Sequence, residues 1–229
     1  MTYSGIAGEL WSAVVALKST GWAVAGSFVG GWRDAFAEGR SLDTGESIYY
    51  AWVAFAVVWL IAALRQKRVQ KRQPAGERLL HILWMGAAAL LLLREQSWFM
   101  PLNARFIPER LWVEELGAWA TVAGVAFAIW ARLHLGANWS GNVTIRQDHS
   151  LIRTGPYTFI RHPIYTGMLV ALGGTALAIG EYRGLLGFAM FAVGLVLKAK
   201  KEESFLAPEF GPSFEEHKKK TGFFLPRFS

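Results

Sequence analysis

The chain contains no cysteine among its 229 residues, and this absence excludes disulfides, thiolate metal sites and a cysteine nucleophile. Charged residues are also scarce, at 18% of the chain, against about 25% in soluble domains. Neither a Walker loop nor a dinucleotide fingerprint occurs. The histidines show no metal-ligand spacing; they are His81, His134, His149, His162 and His217.

The apolar residues, 53% of the chain, are gathered into blocks rather than spread evenly. A helix rises about 1.5 Å per residue, so roughly 20 apolar residues cross a hydrocarbon core of about 30 Å. Five blocks approach that length, and they predict an all-α, polytopic integral membrane helical bundle of five to six transmembrane helices. The blocks are residues 48–64, 79–93, 116–131, 163–180 and 184–197.

Residues 5–32 leave two readings open. Their apolar content is interrupted at Lys18 and resumes after Thr20. A sixth span with Lys18 facing the bundle interior is slightly favoured, and a helix lying in the membrane interface is the alternative.

Only Glu181, Tyr182 and Arg183 separate the last two blocks, which predicts a tight helical hairpin. The hairpin is rich in glycine. Glycine lets helix backbones approach closely in lipid, but it is also generally frequent in membrane helices, so this enrichment alone decides nothing.

The charges between the blocks predict orientation. Loop 65–78 is rich in Lys and Arg and should face the cytoplasm, whereas loop 94–115 is balanced and should face outward. Loop 132–162 and tail 198–229 then lie on the cytoplasmic face. This distribution accounts for the net charge of +7 better than a nucleic-acid partner does.

A polar motif, Arg161-His162-Pro163, stands at the start of the fourth block. Proline is favoured at the first position of a helix, and the residue before it is pushed out of the α region. His162 is therefore predicted to cap a helix that begins at Pro163. A helix N-terminus with an arginine beside it suits an anion, although arginine is also a common membrane-boundary residue.

A second polar cluster, Glu202 and Glu203, follows the fifth block. Adjacent residues on a helix point about 100° apart, so we expect only one of the two carboxylates to face a shared pocket. It could accept from ribose hydroxyls or an ammonium. Neutralisation of Lys198, Lys200 and Lys201 on a solvated face is the plainer interpretation.

These motifs together resemble the isoprenylcysteine carboxyl methyltransferases and their bacterial relatives, with phospholipid N-methyltransferases as more distant ones. The resemblance covers roughly 132–226 and includes the stretches 135–141 and 209–226. Phe214 and His217 depart from it, because relatives often have two tyrosines there. The residues that carry the resemblance are Gly155, Pro156, Tyr157, Arg161, His162, Pro163, Tyr165, Gly167, Glu202 and Glu203.

The resemblance implies a methyltransferase with S-adenosylmethionine as methyl donor and S-adenosylhomocysteine as product, and with a cytoplasmic cofactor pocket beside the C-terminal helical hairpin. It also implies a division into N-terminal transmembrane helices, 1–131, and a methyltransferase core, 132–229, with the hairpin at 163–200. Arg161 and Glu203 are the candidate catalytic residues. The candidate cofactor-binding residues are Ile152, Arg153, Thr154, Gly155, Tyr157, Arg161, His162, Pro163, Tyr165, Gly167, Glu202 and Glu203.

The acceptor stays open at this level. A lipophilic group entering from the bilayer is expected, and it could be a carboxylate, a phospholipid amine, a sterol-like lipid or a small thiol. A membrane sterol-type reductase that uses NADPH is a rival, since Arg153 could meet the 2′-phosphate. A lipid-binding or transport protein without a cofactor is the non-enzymatic rival.

Overall fold

The computed structural model describes residues 43–63, 69–72, 75–93, 100–136, 144–146 and 151–227. Six α-helices dominate this part of the chain, and the predicted all-α class is confirmed. Two short strands, β1 and β2, were not predicted. The helices are α1 Thr44–Ala63, α2 Ala75–Leu93, α3 Leu111–Leu135, α4 Pro163–Ile179, α5 Tyr182–Phe210 and α6 Pro212–Lys220; the strands are β1 Val69–Arg72 and β2 Thr144–Arg146.

The five predicted apolar blocks coincide with helices α1 to α5. Three of these helices are long and apolar enough to cross a membrane, namely α1, α3 and α5. The apolar part of α2, Leu79–Leu92, and the whole of α4 are shorter. The apolar helices support an integral membrane protein. Residues 5–32 lie outside the described residues, so their two readings stay open.

Two predicted boundaries were wrong. Helix α3 begins at Leu111 rather than at 116, so Glu114 and Glu115 lie in its first turns. Acidic side chains near a helix N-terminus complement the helix dipole, which explains why a charged stretch can still be helical. Helix α5 continues to Phe210, well past both the predicted end of its apolar block at 197 and the predicted hairpin end at 200.

Helices α3 and α4 pack with their backbones in close approach, through glycines spaced seven residues apart on each helix. A methyl group on Gly117 would lie 2.6 Å from the Gly174 carbonyl oxygen, and one on Gly167 would lie 2.6 Å from the Ala128 nitrogen. Side chains at these positions would force the helices apart. The glycines of the hairpin therefore pack against different helices. Gly167 and Gly174 contact α3, whereas Gly187 contacts Leu92 of α2.

A polar node ties three helices together inside the apolar bundle. Trp52 of α1 donates from its indole nitrogen to the Thr175 hydroxyl at 3.0 Å, and Thr175 is 3.1 Å from the Thr121 hydroxyl. Both threonines also donate to the carbonyl of Ala171. Because every hydroxyl has a partner, the node can lie among apolar residues without an unsatisfied polar group.

Arginines close one end of the bundle. Gly180 ends α4 in the left-handed conformation, with φ of 68°, and Arg105 donates to the carbonyl of Ile179. The buried Arg183 donates to the carbonyls of Leu91 and Leu92, and it also pairs with Glu181. These contacts satisfy the last carbonyls of α4 and α2, which helix geometry leaves without intrahelical donors.

Strands β1 and β2 pair antiparallel, with Val69 opposite Arg146. The two strands come from the loops that the charge pattern assigned to one membrane face, and their pairing brings these two segments together. Apart from 43–46, the described residues belong to one compact unit, Ser47–Ser229. The division at 131 and 132 stays a prediction.

Candidate active site

Helix α4 begins at Pro163 with His162 as its N-cap, as predicted. The backbone at His162 is not helical, with φ of −122° and ψ of 57°, because the following proline disfavours the α region. The first intrahelical bond runs from the Thr166 N–H to the His162 carbonyl. Helix geometry leaves the N–H groups of Ile164 and Tyr165 without an intrahelical acceptor, so this end of α4 carries partial positive charge.

The acidic pair meets this helix start. Glu203 Oε1 accepts from Arg161 Nε at 2.7 Å and lies 3.2 Å from His162 Nε2. Since an ionised carboxylate can only accept, His162 Nε2 carries a proton in this contact. The Arg161 and Glu203 side chains are 11% and 15% exposed, so this ion pair is largely withdrawn from water.

Glu202 reaches the same helix start by a different contact. Tyr165 donates from its hydroxyl to Glu202 Oε1, and His162 Nδ1 lies 3.7 Å from Glu202 Oε2. The expectation that only one carboxylate would face the shared site was therefore wrong. The His162 ring lies between the two glutamates, so side chains that diverge by about 100° still converge on one partner.

Lys198, one turn before Glu202 on α5, completes this side of the cluster. Its ammonium lies 5.5 Å from the centroid of the Tyr165 ring. Both glutamates contact α4 or the residues just before it, namely Arg161, His162 and Tyr165.

The turn at residues 154–158 packs on the last turns of α3. Gly155 has φ of 59°, and Gly155–Thr158 form a single 3₁₀ turn in which Pro156 and Tyr157 are buried. The Tyr157 hydroxyl donates to the Ala131 carbonyl at 3.4 Å. Burial, helped by the negative charge of Glu202, raises the pKa of Tyr157 well above its usual value, so its hydroxyl stays protonated.

The C-terminal strap, residues 221–225, crosses the start of α4. The backbone N–H groups of Arg161 and His162 donate to the carbonyls of Gly222 and Phe223, and the Thr166 hydroxyl donates to the Phe224 carbonyl. The Arg161 guanidinium also donates to the Lys218 and Thr221 carbonyls. The strap therefore fixes both the backbone and the charged side chain of the motif.

Helix α6 joins the strap to the turn. Arg153 donates to the Ser213 carbonyl at 2.5 Å and pairs with Glu216 at 3.6 Å. Phe214 and His217, the two residues that depart from the family pattern, are buried in this segment. Burial, followed by the charges of Arg153 and Arg161, lowers the pKa of His217 below its usual 6.5.

The predicted site residues thus fall into three groups. Arg161, His162, Pro163, Tyr165, Glu202 and Glu203 form one cluster, whereas Ile152, Arg153, Thr154, Gly155 and Tyr157 form the adjoining turn. Gly167 lies apart from both, since it faces Ala128 and Gly124 of α3. Its role in cofactor binding stays a prediction.

Sequence reasoning missed His134 and the C-terminal strap. His134 Nε2 is hydrogen-bonded to the Thr154 hydroxyl at 2.8 Å, and its ring is stacked with Tyr157, the centroids being 6.5 Å apart. A histidine in the last turn of an apolar helix is a weak signal, because it also suits the helix dipole there. The Gly222-Phe223-Phe224 stretch carried a signal only through the family resemblance.

Residues 116–208 match the model of the isoprenylcysteine carboxyl methyltransferase (ICMT) family. This confirms the resemblance that the motifs gave. The ICMT match begins earlier than the predicted 132, within α3, and it ends before the strap.

Curated relatives match only part of this chain. The cobalt-zinc-cadmium resistance protein CzcN of Cupriavidus metallidurans is 32% identical over 120 residues, 52% of this chain and 53% of its own. The protein-S-isoprenylcysteine O-methyltransferase of Schizosaccharomyces pombe is 31% identical over 81 residues, 35% of this chain and 34% of its own. The matches with these relatives therefore span about half of their length or less.

A solved structure of a eukaryotic intramembrane Ras methyltransferase, ICMT, aligns with 80% of this chain and 70% of its own, with 20% identity and a TM-score of 0.49. Within the residues that the structure describes, no group of three or more His, Cys, Asp or Glu is placed to hold a metal ion.

Proposed function

We propose that this chain is an integral membrane methyltransferase of the isoprenylcysteine carboxyl type that transfers a methyl group from S-adenosylmethionine to a lipophilic or membrane-accessible acceptor. One observation carries the proposal. Arg161 and His162 lie in direct contact with Glu203, although about forty positions separate them in the chain. These residues belong to the region that matches the ICMT family, which is a family of methyltransferases.

The residues present fit the polar groups of the methyl donor. The donor carries an α-ammonium, a carboxylate and a ribose diol. Glu202, at 22% exposure, is more accessible than Glu203, and only its Oε1 atom receives the Tyr165 hydroxyl. Its other oxygen can accept from an ammonium or a hydroxyl. The start of α4, where helix geometry leaves the N–H groups of Ile164 and Tyr165 without an intrahelical acceptor, suits the carboxylate.

Arg161 and Glu203 remain in the proposed site as residues on which turnover depends. Each neutralises the other, and Arg161 is also bonded to two carbonyls that precede and begin the strap. Their main contribution is therefore to hold the start of α4, the end of α5 and the strap in one geometry. Such positioning lowers the entropic cost of bringing two reactants into line.

When bound, the donor supplies a methyl group already activated by its sulfonium: the methyl–sulfur bond breaks, the sulfur keeps the electron pair, and a bond forms to the acceptor. The protein then needs to orient the reactants and exclude water. A carboxylate acceptor loses no proton, whereas an amine or thiol must first lose one. Tyr157 and Tyr165 offer no base for that step, because both are hydroxyl donors here.

Access from the bilayer follows from where the cluster lies. Tyr165 is in the first turn of the apolar helix α4, and the neighbouring apolar surface of α5 includes Leu197, which is 61% exposed. A lipophilic acceptor can therefore approach without crossing water. The cytoplasmic face is proposed because the paired strands belong to loops rich in Lys and Arg.

Isothermal titration of the detergent-purified protein with S-adenosylhomocysteine tests the proposal. Glu202→Gln should weaken binding about tenfold, because a charge-assisted contact is lost. Glu215→Gln, an exposed carboxylate on α6, is the matched control and should bind like the wild type. Transfer of a radiolabelled methyl group to prenylated peptides, lipid extracts and thiols then identifies the acceptor.

A parallel titration with NADPH covers the reductase alternative. The Arg153 guanidinium already donates to the Ser213 carbonyl and pairs with Glu216, so a 2′-phosphate would have to compete for it. Binding of NADPH without binding of S-adenosylhomocysteine would overturn the proposal. Binding of neither molecule would overturn it as well and would favour the non-enzymatic rival.

A further inference from the structure

His134 lies outside the two clusters that the family resemblance marks, yet it contacts the turn at residues 154–158 in three ways. Its Nε2 atom is hydrogen-bonded to the Thr154 hydroxyl at 2.8 Å. Its ring faces Gly155 so closely that a methyl group there would lie 2.7 to 2.9 Å from three ring atoms. The ring is also stacked with Tyr157, with 24° between the ring planes.

These contacts act on Thr154 and Gly155, at the start of the turn. Gly155 is in the left-handed region, where glycine pays no steric cost but also imposes no preference. The backbone bonds within the segment are local, such as the Tyr157 N–H to the Thr154 carbonyl. A ring packed on Gly155 and bonded to Thr154 therefore selects one conformation of the turn.

His134 also ties the turn to a fixed support. It lies in the last turn of α3, and the Ala131 carbonyl, which accepts from Tyr157, is on the same helix end. The buried Arg132 between them donates to the carbonyls of Gly136 and Ala62, so it holds the end of α3 against α1. The turn is thus held by a helix end that is itself anchored.

We infer that His134 is a positioning residue for the methyl donor: it holds Thr154 and Gly155 where their backbone groups meet the nucleoside part of S-adenosylmethionine. This inference rests on the proposed function. It assigns His134 no contact with the reacting atoms, so its effect belongs to donor affinity and not to the chemical step.

Three variants separate the contacts. His134→Phe keeps a ring over Gly155 and removes the hydrogen bond. Thr154→Val removes the same bond from the other side with almost no change of shape. His134→Ala removes both the ring and the bond. Leu133→Ala is the matched control, since Leu133 is 66% exposed and occupies the same helical turn.

The measurements are the Kd for S-adenosylhomocysteine by titration calorimetry and, at saturating donor, the rate of methyl transfer. His134→Phe and Thr154→Val should each raise the Kd about fivefold, as expected for one hydrogen bond. The double variant, which combines His134→Phe with Thr154→Val, should raise the Kd no more than either single variant does, because both changes remove the same bond. His134→Ala should raise the Kd more than tenfold, whereas the rate at saturation should change by less than about twofold.

The outcomes distinguish this inference from the proposed function. If the wild type binds S-adenosylhomocysteine and every variant binds equally well, the positioning role is wrong and the methyltransferase proposal stands. Additive losses in the double variant, or a lower saturated rate at an unchanged Kd, also contradict it. If the wild type binds no S-adenosylhomocysteine, both proposals fall. Thr154→Val keeps the test decisive even where His134→Ala does not fold.

Discussion

Arg161 donates from Nε to Glu203 Oε1 at 2.7 Å, and the same guanidinium donates to the carbonyls of Lys218 and Thr221. One side chain therefore joins the entry of α4, the end of α5 and the strap. Arg161→Ala should leave Glu203 without its cation. The free energy of unfolding should fall by on the order of 3 kcal/mol, because one charge of a largely buried pair remains without its partner.

A double-mutant cycle measures this link. Arg161→Ala, Glu203→Ala and the double variant are compared by thermal denaturation in detergent and by binding of S-adenosylhomocysteine. The double variant should be less destabilised than the sum of the single ones, because the uncompensated charge is gone. Strict additivity would show that the two side chains act independently.

Gly174→Ala should separate α3 from α4. A methyl group there would lie 2.5 Å from the Gly117 carbonyl oxygen and 2.6 Å from the Thr121 nitrogen, both of them backbone atoms that cannot yield cheaply. Overpacking should lower the free energy of unfolding by about 1 to 3 kcal/mol. Gly173→Ala is the neighbouring control, because its nearest contact is a phenylalanine ring atom at 3.5 Å. Equal melting temperatures for the two variants would contradict this account of the packing.

Gly155→Ala and Gly136→Ala form a second matched pair. Both glycines have positive φ, of 59° and 58°, but only Gly155 faces a neighbour, the His134 ring. Gly136→Ala should lower the free energy of unfolding by about 1 to 3 kcal/mol through backbone strain alone, because its ψ of −133° lies outside the αL region. Gly155→Ala adds a collision with the His134 ring and should also weaken binding of S-adenosylhomocysteine. Circular dichroism melts and calorimetry compare them, and a similar effect of both on binding would argue against the turn as a donor site.

Gly222→Ala should loosen the strap. A methyl group on Gly222 would collide with the Leu225 carbonyl oxygen, so the strap would have to change its path. The carbonyls of Gly222 and Phe223 would then leave the N–H groups of Arg161 and His162. We expect donor binding to fall at least tenfold, as for the loss of two hydrogen bonds. Lys219→Ala, on the exposed side of α6, should leave binding unchanged.

His217 should make the fold sensitive to acid. Its pKa in the folded chain lies below 6.5, through burial first and the charges of Arg153, Arg161 and His162 next. The unfolded chain therefore binds more protons once the pH falls below about 6.5, and stability drops from there towards the lower, folded-state pKa. Above that pH range the contribution of His217 to the free energy of unfolding no longer changes with pH.

Melting temperatures of the wild type and a His217 variant, measured between pH 5 and 8, test this prediction. The limiting slope from one proton is about 1.4 kcal/mol per pH unit. His217→Phe, which keeps a buried ring, should melt with a shallower slope on the acid side. Parallel curves for the variant and the wild type would assign the acid sensitivity to other groups.

Local signals in the sequence predicted the helices and the start of the motif helix. Pro163 sets both the first residue of α4 and the non-helical backbone before it, and both effects follow from the proline ring. The extents of α3 and α5 were missed because Glu114 and Lys198 lower local hydropathy, although both suit a helix that leaves the bilayer.

The contacts that complete the candidate site depend on residues far apart in the chain. No spacing rule relates His134 to Thr154, or Gly222 to Arg161, because tertiary packing alone brings them together. The meeting of Glu202 and Glu203 with the start of α4 was predicted from the helical hairpin. What was not predicted is that both carboxylates contact the His162 ring.

The strap also sets the order in which the site can form during synthesis. A nascent chain synthesised as far as the end of α5 already contains the motif and both glutamates, but not the carbonyls of Thr221, Gly222 and Phe223 that bond to Arg161 and His162. The restraints that the strap places on the start of α4 are therefore completed only after α4 and α5 have been synthesised.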